Sequence, residues 1–310
     1  MEKIYNMEKF KSGFVAIIGR PNVGKSTFIN NVLGKKVSII SPKPQTTRNK
    51  LQGIYTTDKE QIIFIDTPGI HKPQNKLGDF MNKEAYSSLD EVDMIMLLVD
   101  ATCEYGAGDD YVLNVLQKID TKKVLVVNKI DLINEKNKNK LIESVSKFTN
   151  NVEFDNVFYI SALTGEKVTD LLSYISDSLD EGPIYYPEDQ ISDHPENFII
   201  AELIREKVLM LTKEEVPHSV ATFVEHLKVD EENPNLVNIN AVIVVERDSQ
   251  KKIIIGKGGQ MIKQIGTLAR KEIIMFLGMK VYLELWVRVE NKWRDKPSSL
   301  KKLGYFSDIK

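Results

Sequence analysis

Gly19-Arg20-Pro21-Asn22-Val23-Gly24-Lys25-Ser26 constrains this chain more than any other stretch. It fits G-x-x-x-x-G-K-S/T in full, follows the apolar run Phe14–Ile18 and opens a helical stretch at Thr27–Leu33. Strand, glycine loop and helix in that order form the context in which this motif wraps phosphate. The glycines let the backbone curl so that successive N–H groups face phosphate oxygens. The helix N-terminus adds the positive end of its dipole. Gly19 through Thr27 form the expected phosphate-binding set, with Lys25 on the β- and γ-phosphates and Ser26 on Mg²⁺.

A phosphate loop of this kind needs a parallel sheet behind it, and residues 13–180 supply one. Ile62–Ile65, Met94–Val99, Val124–Val127 and Val157–Ile160 are short, continuous apolar runs suited to strands buried on both faces. The segments between them are long enough for crossover helices. Ile54–Thr57 is expected to pair antiparallel with Ile62–Ile65 across a polar turn. Met94 and Met96 read as core. Ligands of such sheets bind beyond the carboxyl ends of the strands, and three further motifs fall there. Asp66-Thr67-Pro68-Gly69 follows one strand, and its carboxylate is positioned to hold Mg²⁺ through water. Asn128-Lys129-Ile130-Asp131 follows the next but one. A carboxylate there accepts from guanine N1–H and the exocyclic amine. Adenine lacks that donor pair, so an Asp131 buried against the base would be left unpaired, a discrimination of roughly 10⁴ or more. The stem of Lys129 suits the base plane, and Asn128 suits a tie to the phosphate loop. Ser161-Ala162-Leu163 follows the last strand and offers a backbone N–H to the guanine oxygen.

These four motifs, in order and each at a strand end, resemble the G domain of the translation-factor-related GTPases. Pro21-Asn22 in the phosphate loop and Pro44-Gln45-Thr46-Thr47-Arg48 in the next loop resemble the Era family within that group. The resemblance implies that Thr47, with Thr46 as the neighbouring alternative, closes on Mg²⁺ when the γ-phosphate is present. It makes Gln45–Arg48 and Asp66–Ile70 the switch loops. Ile70 stands where many GTPases carry a glutamine that orients water, a substitution that Era-like proteins share. Isoleucine has no polar atom for that task, so slow hydrolysis is expected. Asn22 lies where related GTPases bind K⁺. A second reading makes it a turn residue tolerant of unusual dihedrals.

Beyond Gly182 the pattern changes. Pro183, Pro187 and Pro195 interrupt any helix and read as an interdomain linker. Helix Phe198–Leu211, strands Ser219–Val229 and Val237–Arg247, helix Gln260–Leu277 and strand Val281–Val289 follow. Gly256-Lys257-Gly258-Gly259 lies in this series as a G-x-x-G loop with a basic residue inside. The order is that of a type 2 KH domain, whose loop clamps a short single-stranded stretch. The expected organisation is an α/β P-loop GTPase domain over 11–182, a linker over 183–197, an α+β KH domain over 198–291 and a basic, aromatic tail over 292–310. In the tail, Trp293, Arg294, Lys301, Lys302 and Tyr305 suit either RNA contact or packing of the last helix.

Charge supports the division of labour. The chain holds 42 Lys+Arg against 44 Asp+Glu, yet residues 251–310 hold 14 basic and 5 acidic side chains, a net +9. A polyanion is therefore expected at the C-terminal end. The single cysteine, Cys103, excludes an internal disulfide and a cysteine-based zinc site. The four histidines show no metal-ligand spacing. No secretory signal or membrane-spanning run is present, so the cytoplasm is expected. Residues 1–6 read as an extension ahead of a second start at Met7. The Era resemblance covers about Gly13 to Phe306. It implies a monomeric GTPase that binds the 3′ end of 16S ribosomal RNA, acts in 30S subunit assembly and associates peripherally with the inner face of the cell membrane. Two other classes fit the residues: a nucleotide-gated RNA binder with negligible hydrolysis, and a GTPase whose C-terminal part binds protein or lipid.

Overall fold

The computed structural model describes residues 10–43, 46–69, 75–89 and 92–305. Gln45 and Ile70 of the expected switch loops, with Pro44 and His71 beside them, lie outside the described residues. The chain divides into two units, and the division does not follow the sequence. Of the described residues, 10–34, 50–69, 84–89 and 92–193 form the first, while 35–43, 46–49, 75–83 and 194–305 form the second.

The elements of the first part of the chain are β1 (Lys11–Ile18), α1 (Lys25–Leu33), β2 (Leu51–Thr56), β3 (Glu60–Asp66), α2 (Lys76–Ser87), β4 (Met94–Asp100), α3 (Ala107–Leu116), β5 (Lys122–Asn128), α4 (Lys138–Asn151), β6 (Asn156–Tyr159) and α5 (Val168–Ser178). The six strands form one sheet in the order β2-β3-β1-β4-β5-β6. All neighbours run parallel except β2 and β3, which pair antiparallel from Leu51↔Asp66 to Thr56↔Gln61. Four of the continuous apolar runs have the burial expected of strands covered on both faces: Val15–Ile18, Ile62–Ile65, Met94–Val99 and Val124–Val127 are all buried, whereas Val157 and Phe158 of the edge strand β6 are half-buried and Tyr159 is exposed, because β6 has a neighbour on one side alone. Each such Val, Ile or Leu side chain contributes about 1.5–3 kcal/mol on burial. The parallel order places the carboxyl ends of β1, β3, β4, β5 and β6 along one edge of the sheet.

The proline-rich stretch after α5 differs from a free linker. The Tyr185 and Tyr186 N–H groups donate to Gln61 Oε1 at 2.8 and 3.0 Å, and Tyr186 Oη donates to Gln52 Oε1 at 2.6 Å. Gln52 N–H donates to Asp193 Oδ1 at 2.8 Å. The first unit therefore runs to Asp193, because the free polar edge of β2 and the buried amide of Gln61 take partners from this segment.

The second unit contains α6 (Glu196–Leu211), α7 (Val216–Ser219), β7 (Ala221–Val229), β8 (Leu236–Val245), α8 (Asp248–Ile255), α9 (Gln260–Leu277), β9 (Lys280–Val289) and α10 (Pro297–Lys302). Its sheet has the order β7-β8-β9, with β7 antiparallel and β9 parallel to β8. One face of the sheet, including Ile239, Ala241, Ile243 and Val281, packs with α6 residues such as Ile200 and Ile204 and with Ile265, Ala269 and Ile273 of α9. Helix α8 is additional to the elements expected from sequence. Gln250 caps its start, Oε1 accepting from the N–H groups of Glu246 and Arg247 at 2.9 and 3.0 Å.

Residues 35–43 and 46–49 are fastened within this second unit. Lys36 Nζ bonds Glu206 at 2.7 Å and Glu272 at 2.8 Å, and Ile40 N–H donates to Glu206 Oε1 at 2.9 Å. Burial alone would push the Glu272 carboxyl up, but hydrogen bonds from Lys207 and Lys36 hold it below the ordinary glutamate value. Arg48 is buried and donates to the carbonyls of Val220 at 2.6 Å and of Pro217 and His218 at 3.3 Å. Among the described residues no helix is long and apolar enough to cross a membrane.

Candidate nucleotide and nucleic-acid sites

The phosphate loop joins β1 to α1, and its conformation demands its sequence. Gly19 has φ 152° and Gly24 has φ 105°. A Cβ at Gly19 would lie 2.3 Å from the Leu98 carbonyl, and one at Gly24 would lie 2.2 Å from Asn128 Nδ2. Asn22 is also left-handed, at φ 66°. Lys25 Nζ donates to the carbonyls of Gly19 and Arg20 at 3.1 and 3.2 Å, which holds it against the inside of the loop. Burial pushes the Lys25 ammonium down from its ordinary value, and the nearby Asp66 charge opposes that. Arriving phosphate would supply the countercharge that this buried ammonium lacks.

Asp66 ends β3 at 0 % exposure, and Ser26 Oγ donates to its Oδ2 at 3.0 Å. One hydroxyl and one carboxylate, both oxygen donors, suit a hard cation that brings its own water and phosphate ligands, as Mg²⁺ does. Thr67 Oγ1 donates to the Ile17 carbonyl at 2.8 Å, tying the end of β3 to the end of β1. Gly69 approaches Pro21 so closely that a Cβ would lie 2.9 Å from Pro21 Cγ. Thr46 and Thr47 fall in the second unit, where Thr46 Oγ1 donates to the Lys43 carbonyl at 2.6 Å and the Thr46 carbonyl accepts from Arg205.

Three loops meet on the Asn128 amide. Its Nδ2 donates to the Val23 carbonyl at 2.8 Å, and its Oδ1 accepts from the Ala162 N–H at 2.8 Å. The tie to the phosphate loop expected from sequence is thus a direct bond, and the Ser161–Leu163 loop is held by the same side chain. Lys129, at φ 68°, donates from Nζ to the Asn22 carbonyl at 2.9 Å and to Asp100 Oδ2 at 2.5 Å. Asp131 follows in a short 3-10 turn with its carboxylate exposed, and Leu163 stands 74 % exposed beyond the buried Ser161 and Ala162.

Two partners of this site were not expected from sequence. Asp100 ends β4 and orients Lys129. Burial alone would raise its pKa, but hydrogen bonds from Lys129 and Thr102 hold it below the ordinary aspartate value. Asp109 in the first turn of α3 accepts from Arg20 Nη1 at 3.1 Å, so Arg20 is turned toward α3. The available signal for Asp100 is its position, an aspartate closing an apolar strand.

In the second unit, Gly256-Lys257-Gly258-Gly259 lies between α8 and α9. Gly256, Gly258 and Gly259 have φ of 74°, 58° and 79°. A Cβ at Gly256 would lie 2.7 Å from that of Met261, whereas Gly258 and Gly259 face open space that a ligand backbone can approach. Lys257 is exposed. Beside the loop, between α9 and β9, runs a groove of about 600 Å³ lined by Ile262, Lys263, Gly266, Arg270, Tyr282 and Leu285 among others. Lys263, Gly266 and Arg270 recur at helical spacing after the glycine loop, the signal that would have found them. The tail aromatics take the packing role: Trp293 is fully buried, its Nε1 donates to the Ser219 carbonyl at 2.8 Å, and its ring stacks on Tyr305 at 5.7 Å. Among the described residues no group of three or more His, Cys, Asp or Glu is placed to hold a metal.

Residues 14–129 match the family described as 50S ribosome-binding GTPase, and residues 215–294 match the KH domain. Among solved structures the chain is similar to a point variant of Era from Aquifex aeolicus bound to GDP·AlF4⁻. The two are 44% identical, the match covers 96% of this chain and 100% of that one, and the TM-score is 0.90. The same figures hold for Era in complex with MgGDPNP and nucleotides 1506–1542 of 16S ribosomal RNA.

Proposed function

This chain belongs to the Era family of GTPases, and from that premise we propose that it hydrolyses GTP to GDP and phosphate while its KH domain holds single-stranded RNA at the 3′ end of 16S ribosomal RNA, in support of 30S subunit assembly. The observation that carries the nucleotide half is the Asn128 amide, which bonds the phosphate loop and the Ser161–Leu163 loop at 2.8 Å each and so fixes the guanine pocket against the phosphate cradle. Backbone N–H groups of Gly19–Ser26 and the Lys25 ammonium bind the phosphates. Ser26 and Asp66 would hold Mg²⁺, which when bound neutralises charge on the β- and γ-oxygens. Asp131 reads the guanine edge, with Lys129 held along the base by Asp100. The RNA half rests on the open Gly258–Gly259 backbone, exposed Lys257 and the adjoining groove with Lys263 and Arg270. K⁺ at Asn22 belongs to the same proposal, as do a cytoplasmic place, with Cys103 free and exposed, and a monomeric state.

The guanine assignment is tested by Asp131→Asn. An amide presents a donor where guanine needs acceptors, so GTP affinity should fall by on the order of 10²- to 10⁴-fold while xanthosine triphosphate, with an oxygen at position 2, should gain. Equal binding of ATP and GTP by the unaltered protein would end this reading.

A further inference from the structure

Arg20 presents its main chain and its side chain to different partners. Its carbonyl accepts from Lys25 Nζ at 3.2 Å, beside the Gly19 carbonyl, which accepts at 3.1 Å. Its guanidinium leaves the phosphate loop and donates from Nη1 to Asp109 Oδ2 at 3.1 Å. A lysine ammonium has three donors. Two of those on Lys25 are engaged by the carbonyls, and the direction of the third follows from them. The main chain of Arg20 therefore helps to aim Lys25, and whatever fixes Arg20 fixes that aim.

Asp109 is suited to the task. It is buried, and the same Oδ2 accepts from the Gly106 N–H at 2.9 Å, which caps the first turn of α3. Val112, Leu113 and Leu116 pack α3 into one core with Ile18 of β1 and Val99 of β4, so the carboxylate stands on a rigid element. On the way to it the arginine lies across Gly108, where a Cβ would be 3.2 Å from Arg20 Nε and 3.5 Å from Cδ. The Arg20 side chain is 40 % exposed, and an ion pair with so exposed a partner adds little to stability. Its effect falls instead on the course of the loop, where Pro21 already restricts the backbone of the residue before it.

We propose that Asp109 is a positioning residue for GTP hydrolysis: by holding Arg20 it sets the main chain that aims the Lys25 ammonium at the β- and γ-phosphates. The proposal rests on the nucleotide reading above. Lys25 opposes charge that grows as the γ-phosphoryl group transfers, so a loss of aim is felt in kcat more than in ground-state binding.

Steady-state phosphate release and GDP affinity of the full chain provide the test, with Arg20→Ala, Asp109→Ala, the two together, Asp109→Asn and Gly108→Val. Each of the first two should lower kcat by about tenfold, less than the 10²-fold that a misplacement of about 1 Å can cost. The KM for GTP and the affinity for GDP should stay within about twofold. The double variant should be no slower than either single one, because both break the same link. Asp109→Asn keeps an acceptor for the Gly106 N–H, so it should keep the melting temperature while losing part of kcat. Gly108→Val displaces the guanidinium with both partners intact and should slow turnover as well. Losses that multiply in the double variant would overturn the proposal. So would a loss in Arg20→Ala alone, which would place the guanidinium on phosphate itself, or a loss in Asp109→Ala alone, which would leave Asp109 as a helix cap. Failure of the unaltered protein to bind GTP or GDP would instead remove the nucleotide reading, and this relay with it.

Discussion

Asn22 is the residue at which a backbone role and the proposed K⁺ role can be told apart. Its left-handed φ of 66° is one that asparagine tolerates better than most residues, and its carbonyl accepts from Lys129 Nζ at 2.9 Å. Both facts concern the main chain and would hold for glycine. The proposed K⁺ role would fall to the side chain, where a monovalent cation would stabilise developing charge on the phosphates as an arginine finger does elsewhere. Asn22→Gly separates the two. It keeps the backbone conformation, so GTP affinity should change little, while turnover in K⁺ should fall by on the order of tenfold or more toward the rate in Na⁺. Steady-state phosphate release in the two salts measures this. If the unaltered protein turns over equally in both, the asparagine serves the turn alone.

At the level of elements, the C-terminal segment carries more structure than its composition suggests. Trp293 lies in a 3-10 turn before α10, packed with Leu300, Leu303, Val242 and Val244, and the Arg48 guanidinium sits 5.8 Å from its ring. Removing a buried indole loses its transfer energy and leaves a cavity, at a cost of about 3–5 kcal/mol. Trp293→Ala should therefore lower the melting temperature of the second unit, and Trp293→Phe should cost less, losing chiefly the bond to the Ser219 carbonyl. Since the partners of Trp293 all lie in that unit, GTP affinity at low temperature should be unaffected. Calorimetry alongside nucleotide titration checks both. An unshifted transition in Trp293→Ala would mean that residues 292–305 are dispensable to the fold.

For the whole molecule, the decisive feature is the placement of residues 35–43 and 46–49. They follow α1 directly, yet Lys36 and Ile40 are held by Glu206 and Glu272, and Arg48 by three carbonyls around α7. If the γ-phosphate reorders this loop, those bonds must be exchanged for others, and nucleotide state would then be linked to RNA affinity. Coupling energies are commonly about 1–3 kcal/mol, so RNA affinity should be roughly 5- to 150-fold tighter with a GTP analogue than with GDP, and RNA should tighten the analogue by the same factor. Lys257→Asp with Gly258→Asp should abolish RNA binding, because two carboxylates would face phosphates, and leave GTP affinity without RNA intact. RNA titrations at one fixed salt concentration in both nucleotide states decide the matter. Identical affinities would make the two activities independent.

What the sequence determined by itself was local. Gly19, Gly24, Lys25 and Ser26 dictate a phosphate loop because only that backbone geometry uses them together. The apolar runs dictate buried strands, and Gly256–Gly259 dictates a tight loop open to a ligand. Asn128 and Asp131 were legible because each follows such a strand. Tertiary structure decided the pairings between residues distant in the chain. Asp100 under Lys129, Asp109 on Arg20, the fastening of 183–193 along β2 and β3, and the burial of Trp293 and Tyr305 follow from strand order and helix placement. No short-range pattern encodes them: a lone aspartate, a tyrosine pair or a tryptophan among lysines acquires its role only from the surface that folding brings against it.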